Sequence, residues 1–164
     1  MSAFLPILTL ATLFCGLVAG IAFIFATVIM PGLATLGDRD LLRSFKAIDR
    51  VIQGNQPLFM VAWLGSALLL GTATVLGFAS LSPLDRLLLL SALGAYLAGV
   101  QVPTIRVNVP LNNELQRQDL DQLDDQAIAR LRQTFEPRWV RWNWIRTWVA
   151  VATTLTLLVL LLRL

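Results

Sequence analysis

Trp139, Trp142, Asn143 and Arg146 are the residues of this chain best spaced to do chemistry together. On an α-helix, at about 100° per residue, they share one sector at spacings i, i+3, i+4 and i+7. An amide and a guanidinium then stand among indoles, just before a long apolar run. Arg141, Trp144 and Trp148 fall on the opposite side, in the pattern of a membrane-interface anchor. Two readings of Arg146 stand. A guanidinium turned into a membrane bundle marks a functional site, because leaving it unpaired there is costly. A guanidinium near a helix end can instead snorkel to the headgroups.

Other polar groups can join that face. Asn108 and Asn112 are four residues apart, with Pro110 between them. Proline removes a backbone donor and frees a carbonyl, so this stretch reads either as a polar pocket wall or as a solvated helix exit. Tyr96 falls near the middle of an apolar run. Its hydroxyl needs a partner there, from the protein or from a ligand. Asp49 borders an apolar stripe, where a solvated or salt-bridged position is expected and an inward one is the alternative. The chain has no histidine. That removes the usual haem, copper, non-haem iron and catalytic zinc ligand sets, and the commonest general base. No metal and no cofactor are expected. The one cysteine, Cys15, has no partner in the chain for a disulfide.

The elements that must position these groups are membrane helices. The 164 residues are 57% hydrophobic and 14% charged, too apolar for a soluble domain. Four runs exceed the roughly 18 apolar residues of a spanning helix, near 5–30, 58–81, 87–105 and 144–162. Met30-Pro31-Gly32 is expected to end the first, and Glu136-Pro137 to restart the chain before the fourth. Gly16 and Gly20 form a GxxxG pair read as packing inside the bundle. Ser82 to Arg86 make a turn short enough to force antiparallel neighbours.

Two amphipathic stretches fill the long loops. Asp38 is placed to cap a helix at 39–53, with Leu41, Phe45, Ile48 and Ile52 on one side and Arg39, Arg43, Lys46 and Arg50 on the other. A second helix is expected at 119–135, acidic at its start and basic at its end. The fold expected is all-α: a single domain, a four-helix transmembrane bundle with two interfacial helices. Eleven of the thirteen Lys and Arg residues lie on the long-loop side, leaving Arg86 and Arg163 on the other. The positive-inside rule then places both termini outside the cytoplasm of a cell-membrane protein. The net charge of +3 reads as membrane orientation, with the lipid bilayer as partner and no nucleic acid.

Four spans, Met30-Pro31-Gly32, Phe45-x-x-Ile48-Asp49-Arg50, Asn108-x-Pro110-Leu111-Asn112 and Trp139-x-x-Trp142-Asn143-x-x-Arg146 together resemble the anthrone oxygenase-like family of small membrane proteins. Position 49 departs from the asparagine of that pattern. Members with an assigned activity oxidise anthrones to anthraquinones with dioxygen, which implies a cofactor-independent oxygenase acting on a flat lipophilic phenolic or aromatic substrate. On that resemblance Arg146 is the oxyanion partner, with Asn143, Asn108 and Asn112 as neutral donors. Trp139, Trp142 and Tyr96 are the residues to stack on the substrate, and Asp49 is the one candidate base. Two other functions stay open: a lipid- or quinone-binding module without chemistry, and a structural or assembly partner.

Overall fold

The computed structural model describes residues 3–164. It is helical almost throughout, with no strand among the described residues. Four helices are long and apolar enough to cross a membrane: α1 (Phe4–Ala34), α3 (Pro57–Gly77), α4 (Pro83–Arg117) and α5 (Asp125–Arg163). The shorter α2 (Asp38–Gln53) lies between α1 and α3. The chain is therefore built as a multi-pass membrane protein.

Helix α1 is central and packs along both α3 and α5; α4 packs mainly on α5. Close approach needs small residues. A β-carbon on Gly65 would lie 2.6 Å from the Phe14 ring, one on Gly77 2.7 Å from Phe4, and one on Gly99 2.8 Å from Val149. These three glycines seat α1 on α3 and α4 on α5. The Gly16 and Gly20 pair does not have this role. Gly16 has ordinary contact with Thr154, and Gly20 has open space.

Proline ends these helices less often than its chemistry suggests. Three turns widen to π-helical spacing, at Phe25–Ile29, Leu97–Gln101 and Thr104–Asn108. Each stops two residues before a proline: Pro31, Pro103 and Pro110. A wide turn makes room for the ring and for the hydrogen bond it cannot donate. Helix α1 consequently runs past Met30-Pro31-Gly32 to Ala34, and α4 runs unbroken to Arg117. Pro137 is also inside a helix. It lies on an exposed face, with exposed Gln133 one turn earlier, so the freed Gln133 carbonyl can be solvated. The expected restart at Glu136-Pro137 does not occur.

Nor does a separate helix at 119–135. Residues 118–124 form an irregular turn, Asp124 caps α5 by accepting from the Ala127 amide at 2.7 Å, and α5 continues straight into the span. The acidic start of that stretch has another use. Arg43 pairs with Asp121, and Arg39 pairs with Asp125 at 3.0 Å while donating to the Leu120 and Leu123 carbonyls. Lys46 reaches the Gln118 carbonyl at 2.5 Å. Three of the four basic side chains of α2 thus clamp the 118–125 segment. Asp38 does not cap α2, since Gly37 holds that position. It pairs with Arg132 at 2.9 Å, and Arg132 also donates to the Ala34 and Leu36 carbonyls at the end of α1. Those orphan carbonyls are the groups a helix end leaves to be satisfied.

The apolar side of α2 packs inward. Phe45 meets Phe135 and Trp139 edge-on, at centroid distances of 4.8 and 5.1 Å. Gly54 and Asn55 then turn the chain into α3; Asn55 takes a φ of 57°, which asparagine tolerates better than most residues. Helix α2 lies against the long-loop end of the bundle, held on one side by salt bridges and on the other by aromatic packing.

Candidate functional site

A cavity of about 100 Å³ opens at that end, and all five helices line it. Its walls are largely aromatic and aliphatic: Phe25 from α1, Phe45 from α2, Phe59 and Trp63 from α3, and Trp139 from α5. The polar lining groups are Asp49 from α2, Thr104 and Asn112 from α4, and Asn143 and Arg146 from α5.

Arg146 turns into the bundle. Its Nη2 donates to Asn143 Oδ1 at 2.6 Å and its Nη1 to Thr104 Oγ1 at 3.1 Å. The guanidinium carbon lies 5.7 Å from the Trp139 ring centroid, within cation–π range. Its expected partners, Asn108 and Asn112, are not the ones it meets. Asn143 is fixed from behind, donating to the Ala22 carbonyl of α1 at 3.0 Å, just ahead of the first wide turn. Thr104 opens the third wide turn and donates to the Val100 carbonyl at 2.7 Å. Among the described residues no carboxylate pairs with Arg146.

Asp49 is the second charged group, and it is not solvated. It is only 2% exposed, and no cation among the described residues pairs with it. Oδ1 accepts from Asn112 Nδ2 at 2.7 Å. Oδ2 accepts from Gln53 Nε2 at 2.7 Å and from Gln116 Nε2 at 2.8 Å. Three neutral amides satisfy a buried carboxylate that lacks a counter-ion. Asn112 then links the two charges. Its Oδ1 accepts from Trp139 Nε1 at 2.8 Å, and the Trp139 ring lies beside Arg146. One wall of the cavity is therefore a relay: carboxylate, amide, indole, guanidinium.

The other sequence candidates stand apart from the lining. Asn108 is 1% exposed and its Nδ2 reaches the Trp139 carbonyl at 3.4 Å, so it supports Trp139 from the backbone side. Trp142 is half-buried outside the cavity. Tyr96 is fully buried, and its hydroxyl donates to Ser66 Oγ at 2.7 Å. That bond joins α3 to α4 one turn beyond Trp63 and Val100, at the floor of the cavity. Sequence spacing missed Thr104, Trp63, Gln53 and Gln116. Two of them were legible: Gln116 continues the four-residue spacing of Asn108 and Asn112, and Gln53 lies one turn after Asp49. Nothing in the spacing marks Trp63 or Thr104.

The arrangement sets a carboxylate and a guanidinium around one apolar, aromatic-lined space, and neither is ion-paired among the described residues. No curated protein and no solved structure gives a match. The family model described as Anthrone oxygenase matches residues 54–156, which takes in α3, α4 and the site-bearing part of α5, and leaves out α1 and the Asp49 helix. That match extends over more than half of the chain, and by it this protein belongs to the anthrone oxygenase family.

Proposed function

We propose that this protein oxidises a flat, lipophilic phenolic or aromatic ketone with dioxygen, at the cavity between Asp49 and Arg146 and with no cofactor. The observation that carries this reading is that both charges line one cavity and neither is ion-paired among the described residues. A buried charge without a counter-ion is expensive, and such cost is concentrated at functional sites.

In an anthrone-type substrate the methylene proton is acidic because its removal gives an aromatic phenolate. Asp49 accepts that proton, and Arg146 holds the oxygen on which the charge settles. Asn143 and Thr104 fix the guanidinium, and Trp139 supplies a face for the ring system. The electron-rich ring gives its electrons to dioxygen. The CH₂ group and O₂ become a carbonyl and one water, so atoms and electrons balance. Asn108 and Tyr96 serve the reaction by supporting Trp139 and the cavity floor.

Oxygen uptake by the purified protein with anthrone tests this. The rate should exceed the uncatalysed one and fall with Asp49→Asn. A wild-type rate equal to the background would overturn the proposal.

The same reading places α2 and the 118–125 segment on the cytoplasmic side and both termini outside, from the charge bias. A cysteine placed at Arg117, with Cys15 replaced, should stay unlabelled by an impermeant reagent in intact cells, and one at Arg86 should react. The opposite pattern reverses the orientation.

A further inference from the structure

Two residues that line the cavity, Trp63 and Arg146, each hold a buried donor, Nε1 and Nε, with no hydrogen-bond partner among the described residues. They come from different helices, α3 and α5. A buried N–H without a partner forfeits its hydration and gains nothing in return. Most other polar side chains of the lining are satisfied. Asp49 accepts three bonds, Asn112 and Asn143 each donate and accept, and Thr104 donates and accepts. Trp139, the other indole of the lining, spends its N–H on Asn112. Trp63 is the lining indole whose N–H is unspent.

We infer that Trp63 is a ligand-binding residue, and that the molecule this cavity takes carries two acceptor oxygens, one for Arg146 and one for the Trp63 indole. This rests on the reading of the cavity as a substrate site and narrows it to the class of ligand. An aromatic hydrocarbon leaves both donors unmet, and an unsubstituted anthrone leaves the Trp63 donor unmet until the reaction adds its second oxygen. A dioxygenated ring system meets both donors, and its apolar faces meet Phe25, Phe45 and Phe59. Indole suits this position because it donates but does not accept, so it selects a carbonyl or hydroxyl oxygen and disfavours a group that can only donate. The geometry therefore makes Trp63 a specificity residue, with the charge work left to Arg146 and Asp49.

Three probes test it by binding alone: 9,10-anthraquinone with two acceptor oxygens, anthrone under nitrogen with one, and anthracene with none. The protein is the full chain in detergent, with ¹⁵N-indole labels. Trp63→Phe keeps an aromatic face but loses volume along with the donor, so anthracene binding controls for the lost volume; its melting temperature is compared with wild type. Anthraquinone should move the Trp63 indole N–H resonance downfield, and anthracene should not. Trp63→Phe should weaken anthraquinone about tenfold, as expected for an orphaned acceptor, and leave anthracene unchanged. An unmoved Trp63 resonance, or equal weakening of anthraquinone and anthracene, overturns the assignment of Trp63. Failure of wild type to bind any probe overturns the substrate-site reading together with it. An Arg146→Lys variant that binds anthraquinone as wild type, while Trp63→Phe does not, overturns the role of Arg146 and leaves that of Trp63 standing.

Discussion

The two ends of the bundle each bury an aspartate, and they treat it in opposite ways. Asp85, at the start of α4, is 7% exposed. Arg163 donates to it at 2.6 Å, Ser82 donates to its other oxygen at 2.6 Å, and its own backbone N–H returns to Ser82. That is a capping box closed by an ion pair, and its charge is cancelled where it sits. Asp49, at the other end, is 2% exposed and meets only amides. A cation is close enough to share its cavity, yet an indole and an amide stand between them. The first arrangement fastens a helix end. The second preserves two opposite charges side by side, which is useful only if something is to be placed between them.

Substitutions at matched positions can break that comparison. Asp49→Asn should reduce oxygen-dependent turnover by about 10²–10⁴-fold, the usual weight of a general base. Asp85→Asn should leave turnover within about twofold, and oxygen uptake with anthrone measures both. Equal losses would mean that the two carboxylates differ only in their neighbours. Next in size, Arg146→Lys should weaken anthraquinone binding about tenfold or more, because lysine cannot hold Asn143, Thr104 and a ligand through one planar fork. Arg163→Lys should not change binding, and isothermal titration separates the two.

A smaller effect tests the amide shell. Gln116→Ala should cost roughly 1–3 kcal/mol of stability, since it strips a donor from a buried carboxylate. At the other end, Ser82→Ala should cost roughly 0.5–2 kcal/mol as an ordinary lost cap. Thermal unfolding in detergent ranks them. The smallest effect is electrostatic. Arg43 holds the Asp121 carboxyl below the usual carboxylate range, chiefly through their hydrogen bond and then through charge attraction. A depressed acid contributes stability above its ordinary pKa and loses it as pH falls through the lowered one. The protection factors of amides in the 118–124 segment should therefore fall on acidification below about pH 4, and added salt should blunt the difference. Arg141→Ala, on the exposed side of α5, should change neither binding nor turnover.

The four spans were legible because apolar length is a bulk property that no single residue can disguise. The amphipathic pattern of α2 was legible for the same reason. The ends of helices were harder. Pro31 and Pro137 read as breaks and Pro110 as a pocket wall or helix exit, yet wide turns or an exposed face absorb each of them. In the site, the single-helix face of Trp139, Asn143 and Arg146 could be seen, because those residues share one regular helix. Its partners could not be placed. Two wide turns between Leu97 and Asn108 shift the angular register of α4, so regular helical spacing does not fix where Thr104 and Asn112 point relative to Tyr96. Asp49 was hidden by a statistical habit. Carboxylates are seldom buried without a cation, and only the convergence of Gln53, Asn112 and Gln116 from two helices makes this one an exception.

The unbroken α5 has a mechanical consequence. Its 39 residues form a rod about 58 Å long, nearly twice the thickness of a bilayer's hydrocarbon core. Trp139, Asn143 and Arg146 sit near the middle of that rod, and its outer arm is gripped through Arg39 and Asp38. A pull on the arm by anything that binds the 118–125 segment would tilt the whole lever about its membrane fulcrum. Because indole and guanidinium ride on the same beam, they would swing together against Asp49, altering the gap between acid and cation and straining the Thr104 and Asn112 bonds that tie that beam to α4.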